Sequence, residues 1–307
     1  MIDKPLVSIG MPVYNGERFI RKALQSLLEQ DYENIELIIS DNASTDFTFQ
    51  ICRTFANRDR RIKIHKHAHN VGIQKNFQTV LELAKGEYFM WAAVDDYWYK
   101  EFVSSLVEEL KKHTEAGVAM CAVHRILKDG TLFDIVRFAG RKNPNHKSFL
   151  GMTLGLATSI KYNLFIYGLF RTPLIKSALP VPIIDSGDRW FLAQFALSAR
   201  FRYIDKVLHL RRFHSKPYQD RYPDDELGRI KKASEKRWFY FRPVLILYRV
   251  LSRSKIVPKH RKIFIPIVLS YLFCKRLGIG IRKMADSFPG KTVHNELLKK
   301  CDSNHLR

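Results

Sequence analysis

Cysteine is scarce in this chain of 307 residues, and the few cysteines are widely scattered. Cys52, Cys121, Cys274 and Cys301 form no C-x-x-C pair and show no spacing typical of a disulfide framework. We therefore expect a reducing, cytoplasmic compartment rather than a cross-linked secreted domain. The first residues lead directly into a predicted strand, so we expect no signal peptide.

Long apolar runs are also missing. No stretch reaches the 18 or so apolar residues that a membrane-spanning helix needs. The composition is nevertheless globular, with 46% hydrophobic and 27% charged residues. A chain of this length can bury a sizeable core, so the totals predict one α/β domain with an appendage, or two domains.

Acidic residues are few: 30 Asp and Glu stand against 52 Lys and Arg, which gives a net charge of +22. The imbalance is concentrated in the basic tail, which we define as residues 227–307. This tail contains 20 Lys and Arg and 4 Asp and Glu, so it contributes 16 of the 22 excess charges. Such a segment suits an anionic surface, either a nucleic acid or a membrane.

Two glycine-rich phosphate-binding signatures are absent, namely G-x-G-x-x-G and G-x-x-x-x-G-K-[ST], which argues against an NAD-type or P-loop site. Instead, apolar strand patterns alternate with helical patterns over the first hundred residues. This alternation predicts a Rossmann-like, mostly parallel sheet flanked by helices. Since right-handed crossovers place the ends of parallel strands at one edge, we expect residues 12–15, 41–46 and 95–96 to line one crevice.

The stretch Gly86–Tyr97 is the centre of this pattern. Its apolar part, residues 88–94, predicts a buried strand, and two adjacent carboxylates, Asp95 and Asp96, follow it directly. Ligands of open α/β sheets bind beyond the carboxyl ends of the strands, so this pair is a candidate site for a substrate or a hard divalent cation. The alternative is a solvated turn that caps the next helix.

Four segments together resemble a known family. They are VSIGMPVYN at residues 7–15, IISDNASTD at residues 38–46, NVG at residues 70–72, and the GEY at residues 86–88 that leads to Asp95 and Asp96. In this order and spacing they resemble the family 2 glycosyltransferases of the GT-A fold. The match is strong over about the first 100 residues and continues more loosely to about His214.

The resemblance implies an inverting transferase of hexosyl type that uses a nucleotide-diphosphate sugar and Mg²⁺ or Mn²⁺. Asp41 would bind the base edge, Asp95 and Asp96 the ribose and the metal-bridged diphosphate, and His214 the metal or the diphosphate. The other residues implied to contact the nucleotide sugar are Pro12, Tyr14, Asn15, Glu17 and Asn70. The family often has D-x-D-D where this chain has Ala93-Val94-Asp95-Asp96, so which Asp binds the metal stays open. For Asp41 the alternative is an Asx turn.

In the second half, residues 167–171 resemble the family's G-x-x-R segment, and residues 208–215 its R-x-H segment, in which Arg212 would neutralise phosphate. The resemblance also implies that Asp188 takes the position of the family's catalytic base, the carboxylate with which an inverting transfer deprotonates the acceptor hydroxyl. Gly187 replaces the acid that often precedes it. Asp188 could instead be a plain helix N-cap, and Asp185 is then the candidate base.

The boundaries follow from these patterns: a GT-A catalytic domain at residues 1–220 and a basic, partly amphipathic helical extension at residues 221–307. Residues 263–274 are apolar but too short to span a bilayer, so they suit an interfacial helix or a core helix packed on the catalytic domain. We expect the extension to hold the enzyme on the cytoplasmic face of a membrane, beside a glycan or lipid-linked acceptor. Polysaccharide or glycolipid assembly is the expected context.

Two other functions are compatible with the sequence. A catalytically silent sugar-nucleotide-binding or scaffold protein is allowed by Ala93 and Gly187, which stand where acids are common. Nucleic-acid binding is suggested only by charge, and no recognised motif supports it, so no nucleic acid is expected as a partner.

Overall fold

The computed structural model describes residues 4–180, 187–213 and 242–274. Its described strands form one nine-stranded sheet in the order β3-β2-β1-β4-β8-β6-β9-β5, with β7 paired to β6. The bounds of these strands are β1 Val7–Val13, β2 Ile35–Asp41, β3 Ile62–Lys66, β4 Tyr88–Trp91, β5 Tyr97–Trp98, β6 Ala116–Ile126, β7 Leu132–Val136, β8 Leu169–Arg171 and β9 Arg200–Arg212.

Strands β3, β2, β1 and β4 are parallel and form the predicted Rossmann-like half of the sheet. Proline often ends a strand, yet β1 continues through Pro12 to Val13. The register explains why this is tolerated. Strand β4 pairs with β1 only as far as Gly10, so the N–H that proline lacks points to a side where the ladder has already ended.

Helices cover the parallel half at the spacing that the apolar residues predict. In α1 the buried residues Ile20, Ala23, Leu24 and Leu27 recur every three to four positions and face the sheet. The helices of the described chain are α1 Ile20–Leu28, α2 Thr48–Ala56, α3 Ile73–Leu83, α4 Phe102–Lys112, α5 Phe149–Thr158, α6 Thr172–Ser177, α7 Gly187–Ser198 and α8 Arg242–Arg253.

The second half of the sheet mixes directions. Strand β8 runs antiparallel to both β4 and β6, while β6 and β9 are parallel over most of their length. Strands β6 and β7 form a hairpin around Asp129-Gly130, an Asp-Gly pair typical of hairpin turns, with Gly130 at a φ of 99°, a left-handed conformation that suits glycine. Strand β9 ends at Arg212, and antiparallel pairing with β5 brings this end close to the turn that holds Asp95 and Asp96.

The described part of the extension, residues 242–274, packs on helix α7. Helix α8 and the helical residues 264–274 bury Leu247, Leu251, Val268 and Leu272 in a second apolar cluster that also contains Ala193 and Leu197 of α7. Their other sides stay exposed. Within the described residues, no single helix is both long and apolar enough to cross a membrane. Among these residues, two helical segments, 149–156 and 161–167, are together long and apolar enough, but the chain bends by 101° between them.

Candidate active site

The loops after β1, β2 and β4 meet at one edge of the sheet, as the strand order requires. The backbone N–H of Asn15 donates to Ser44 Oγ at 3.0 Å, and that of Gly16 donates to Thr48 Oγ1 at 2.7 Å. A Cβ on Gly16 would lie 2.6 Å from Val94 Cγ2, so only glycine allows the first loop to approach the third this closely. The three predicted segments therefore share one crevice.

Asn15 and Glu17 connect the first two loops to each other. Asn15, at a φ of 49°, accepts through Oδ1 from the N–H of Thr45, and Glu17 accepts through Oε2 from the N–H of Phe47. Pro12 is buried within β1 and Tyr14 is half-buried beyond its end. The structure thus brings all four predicted nucleotide-binding residues to the crevice, and it gives two of them a visible role in shaping it.

Asp41 ends β2 as a fully buried carboxylate. Its Oδ2 accepts from the N–H of Ser44 at 3.2 Å, which is the Asx turn given above as the alternative, while its buried Oδ1 has no hydrogen-bond partner among the described residues. An unpaired buried carboxylate oxygen is costly, so this acceptor needs an explanation beyond the turn itself. Asn70 is tied to this loop, since its Oδ1 accepts from Asn42 Nδ2 at 2.7 Å.

Asp95 and Asp96 lie in a turn after β4, which ends at Trp91 rather than at Val94 as expected. Asp95 is half-buried, whereas Asp96 is 2% exposed. Both oxygens of Asp96 are engaged: Oδ1 accepts from the N–H of Arg212 at 2.8 Å, and Oδ2 lies 3.0 Å from His209 Nε2. His209 is itself fully buried and stacks on Trp98 with ring centroids 5.3 Å apart. Asp96 is thus fixed within the fold, and Asp95 is the half-buried carboxylate of the pair.

Arg212 clamps the turn to the β6–β7 hairpin. Its guanidinium donates to the carbonyl oxygens of Leu127 at 2.6 Å and Lys128 at 2.9 Å, and to that of Asp95 at 3.2 Å. It also contacts the hydroxyl of Tyr97 and is almost fully buried. We expected Arg212 to neutralise phosphate, but its donors are largely satisfied by the protein itself, so it is a structural clamp.

Arg211 takes the place that the sequence suggested for Arg212. Its guanidinium lies 5.3 Å from the centroid of the Tyr167 ring. Burial lowers its pKa, but the nearby Tyr167, Asp96, Asp188 and Asp95 outweigh this and raise the pKa above the usual value. The guanidinium is therefore the cation that the site's carboxylates share.

Asp188 lies in the first turn of α7, close to Arg211. Asn163 Nδ2 donates to its Oδ2, and the N–H of Arg189 donates to its Oδ1 at 2.8 Å. Burial raises the pKa of Asp188, although these two hydrogen bonds and Arg211 each lower it. A carboxylate with a raised pKa binds a proton more readily than an ordinary Asp, which suits a general base.

The described residues contain no group of three or more His, Cys, Asp and Glu side chains that could hold a metal ion. A cation shared with a diphosphate needs less, because Mg²⁺ is usually held by one or two carboxylates together with substrate phosphates and water. Asp95, supported by Asp96, fits such a site. His214 and Asp185, the other sequence candidates, lie outside the described residues.

Sequence reasoning missed the roles of His209, Arg211, Tyr167 and Asn163. His209 and Arg211 both belong to the quoted 208–215 segment, and alternation along a strand predicts that they share a face opposite to that of Arg212. That alternation was the available signal. Tyr167 begins the 167–171 segment noted above, which gave it no role of its own, and nothing local to Asn163 indicated a role in the 3₁₀ segment Ile160–Tyr167.

The parallel half of the sheet brings Asp41 and the adjacent acids Asp95 and Asp96 to one edge, and the mixed half supplies the half-buried Asp188. This is the arrangement expected of a GT-A nucleotide-sugar-dependent transferase. The comparisons agree with this class. The chain belongs to glycosyl transferase family 2, whose family model matches residues 8–171, more than half of its length.

Curated relatives match the N-terminal part. Glycosyltransferase GlyA of Streptococcus pneumoniae is 31% identical over 120 residues, which are 39% of this chain and 17% of that protein. An uncharacterized glycosyltransferase of Haemophilus influenzae is 38% identical over 96 residues, 31% of this chain and 38% of that protein. The matched region therefore spans well under two thirds of either relative.

Solved structures share the fold over most of the chain. TarS of S. aureus, residues 1–349, solved in complex with UDP-GlcNAc, has a TM-score of 0.63 at 20% identity and covers 88% of this chain and 72% of its own. Mannosyltransferase PcManGT of Pyrobaculum calidifontis, solved with GDP-Man and Mn²⁺, has a TM-score of 0.56 at 17% identity and covers 100% and 82%. These likenesses establish the GT-A fold.

Proposed function

We propose that this protein transfers a hexosyl group from a nucleotide-diphosphate sugar to an acceptor hydroxyl with inversion, in the assembly of a cell-surface polysaccharide or glycolipid. The observation that supports this most is the environment of Arg211, whose guanidinium lies 5.3 Å from the centroid of the Tyr167 ring and whose pKa, despite burial, is raised by Tyr167 and by Asp96, Asp188 and Asp95. A base candidate and a diphosphate-side carboxylate are thus both near one cation.

The donor would lie along the edge of the parallel strands. Asp41 Oδ1 is buried and unpaired among the described residues, so it would accept an N–H of the nucleotide base. Asp95 would hold the metal-bridged diphosphate, and Asp96 would fix the turn through His209 and Arg212. Bound Mg²⁺ or Mn²⁺ acts as a Lewis acid that stabilises the negative charge growing on the leaving diphosphate.

Asp188 would act on the acceptor. Its carboxylate removes the proton of the acceptor hydroxyl as that oxygen bonds to the anomeric carbon of the sugar. The bond between this carbon and the diphosphate oxygen breaks at the same time, so the nucleoside diphosphate leaves from the opposite face. Arg211 balances the negative charge near both groups, and Asn163 holds the Asp188 carboxylate in place.

Thermal shift with a panel of nucleotide sugars in Mn²⁺ tests the donor site. The panel includes UDP-GlcNAc and GDP-Man, the ligands of two structural neighbours. We expect one donor to raise the melting temperature in a metal-dependent manner, and Asp95→Asn to remove this effect. A folded protein that responds to none of them, with or without Mn²⁺, would overturn the assignment.

A catalytically silent sugar-nucleotide-binding protein is the second candidate, and Ala93 is the observation that favours it, because an acid often stands there in the family. Both candidates predict donor binding, so turnover separates them. Release of the nucleoside diphosphate by the wild type, reduced in Asp188→Asn, would favour the enzyme.

The proposed location is the cytoplasmic face of a membrane. Cys52 and Cys121 are buried free thiols, and burial raises the pKa of each to about 12, so neither is a reactive thiolate. Free structural thiols suit a reducing compartment. The acceptor there would be a glycan or a lipid-linked saccharide.

A further inference from the structure

We propose that the outward sides of α8 and of the helical residues 264–274, with Ile263 beside them, form a docking face for an anionic lipid bilayer. The large apolar side chains of this face are between 41% and 71% exposed. Most exposed apolar residues of a folded protein are isolated, whereas contiguous ones mark an interaction site. The apolar members of the docking face are Leu245, Tyr248, Ile263, Ile267, Tyr271 and Phe273.

The two helices have distinct inner and outer sides. Leu247 and Leu251 of α8, and Val268 and Leu272 of the next helix, pack towards α7. The outer residues follow their own helical spacing: Ile267 and Tyr271 are four positions apart, as are Ile263 and Ile267, so they line one side. The inner side thus anchors the segment to the domain, while the outer apolar side takes no part in this cluster.

The charge around this face has a single sign. Residues 242–274 contain seven Lys and Arg and no Asp or Glu. Arg249, Arg253, Lys255 and Lys259 are exposed next to the apolar residues. Exposed apolar side chains flanked by cations are the combination with which interfacial helices bind anionic bilayers.

The same charge argues against other occupants. A second copy of the chain would bring its own exposed Arg249, Arg253, Lys255 and Lys259 against the same cations of the first copy, so a symmetric contact through this face would be repulsive. A nucleic acid would satisfy the cations but would leave the aliphatic side chains of Ile263 and Ile267 without an apolar partner. The bilayer interface offers both anionic headgroups and acyl chains.

The segment that carries the docking face and the candidate base Asp188 are attached to the same helix, α7. Arg261 donates to the carbonyl oxygens of Leu197 at 3.1 Å and Ser198 at 3.0 Å, at the carboxyl end of α7, whereas Asp188 lies in its first turn. Ten residues of helix separate Asp188 from Ser198, which corresponds to about 15 Å. Docking would therefore hold the acceptor side near the membrane, a consequence that rests on the proposed function, although the docking itself does not.

Vesicle flotation of the full chain tests this proposal. We expect binding to phosphatidylcholine vesicles that contain phosphatidylglycerol, little binding to pure phosphatidylcholine, and weakening by salt. The double variant Ile267→Glu/Tyr271→Glu removes two apolar contacts and adds two anions, so its partitioning should fall at least tenfold. A matched control, Leu83→Glu/Leu132→Glu, changes two residues of similar exposure outside the face, 43% and 55% exposed, and should fall much less.

Charge is tested separately with Lys255→Gln/Lys259→Gln. Each Lys near an anionic leaflet contributes about 1 kcal/mol, so removal of both should lower partitioning roughly 25-fold. Circular dichroism and donor binding confirm that each variant is folded. Absence of flotation by the folded wild type would overturn the proposal, as would equal loss in the control variant. Self-association that depends on Ile267 and Tyr271, without vesicle binding, would assign the face to a second copy instead.

Discussion

Asp95 and Asp96 are adjacent acids, and their environments predict opposite consequences for the same substitution. In Asp96→Asn the amide oxygen can still accept from the N–H of Arg212. The amide NH₂ then replaces the charged oxygen that lies 3.0 Å from His209 Nε2, so that charge-assisted contact is lost. A hydrogen bond to a charged group contributes about 1.5–3 kcal/mol, and burial leaves little solvent to compensate. We therefore expect the free energy of unfolding to fall by about 1.5–3 kcal/mol. In Asp95→Asn, where the side chain is half-buried, we expect a change below about 1 kcal/mol.

Melting temperature and metal-dependent binding measure the two effects side by side. A change of 1 kcal/mol shifts the melting temperature of a domain of 150–250 residues by roughly 2–4 °C, so Asp96→Asn should lose about 3–12 °C. Loss of a supporting residue typically lowers metal affinity by about 10–100-fold. Titration calorimetry with UDP and GDP, with and without Mn²⁺, measures how strongly nucleotide binding depends on the metal. Mn²⁺ should strengthen binding to Asp96→Asn less than binding to the wild type, and it should not strengthen binding to Asp95→Asn at all.

The reverse pattern would refute this reasoning. If Asp96→Asn melted like the wild type and abolished the Mn²⁺ effect while Asp95→Asn retained it, Asp96 would be the metal ligand. The hydrogen bonds to His209 and Arg212 would then have to break when the donor binds. Asp129→Asn, an exposed acid in the β6–β7 turn, is a control for the loss of one negative charge.

Four further predictions concern the site. Burial raises the pKa of Asp188, so the acidic limb of the pH–rate profile should lie at a higher pH than an ordinary Asp would give. The hydrogen bond from Asn163 lowers that pKa, so Asn163→Leu should move the acidic limb to a still higher pH. Asp188→Asn should lower transfer by about 10²-fold or more while donor binding is retained. Asp41→Asn should weaken binding of the preferred nucleotide, so the affinities for nucleotides with different bases become more similar, as measured by calorimetry. Gly16→Ala should raise the KM for the donor, because the new Cβ would meet Val94 at 2.6 Å.

Each of these outcomes has a clear opposite. Near wild-type transfer by folded Asp188→Asn would reduce Asp188 to a helix cap and make Asp185 the candidate base. An unchanged acidic limb in Asn163→Leu would separate Asn163 from the titrating group. Unaltered base preference in Asp41→Asn would leave only its turn-forming role, and an unchanged KM in Gly16→Ala would mean that the loop does not shape the donor site.

Stability has the corresponding dependence on pH at Asp188. Because its folded-state pKa is raised, the folded protein binds this proton more tightly than the unfolded chain does. The stabilisation that protonation gives is present below the unfolded pKa and is lost as the pH rises through the folded pKa. The ionised form is thus held at some cost to stability, which is common for functional carboxylates.

The parallel half of the fold follows closely from sequence. Helical and strand periodicities indicate β1 to β4 and the helices between them, and strand order then places Asp41 and the turn of Asp95 and Asp96 at one edge, on either side of β1. Sequence alone could not show that β1 tolerates Pro12, because whether a strand tolerates proline depends on how far its neighbour extends. That length is set by the end of β4 and not by residues near Pro12.

The assignment between neighbouring residues could not be made from sequence. Arg211 and Arg212 are both cations at the end of β9, and strand alternation sends them to opposite sides. Only the pairing of β9 with β6 and β5 decides which side faces the carboxylates. In the same way, whether Asp95 or Asp96 is buried depends on His209, which lies more than a hundred residues away. Long-range register of this kind leaves no local signature.

The central claim is that the chain turns over a nucleotide sugar with the help of a metal. The most direct measurement is release of nucleoside diphosphate from the donor that stabilises the protein, with Mn²⁺ and with EDTA, by the wild type and by Asp188→Asn. We predict release with Mn²⁺, loss of release with EDTA, and a reduction of about 10²-fold or more in Asp188→Asn. Donor binding without any release across a broad panel of acceptors would contradict the claim and leave a sugar-nucleotide-binding protein.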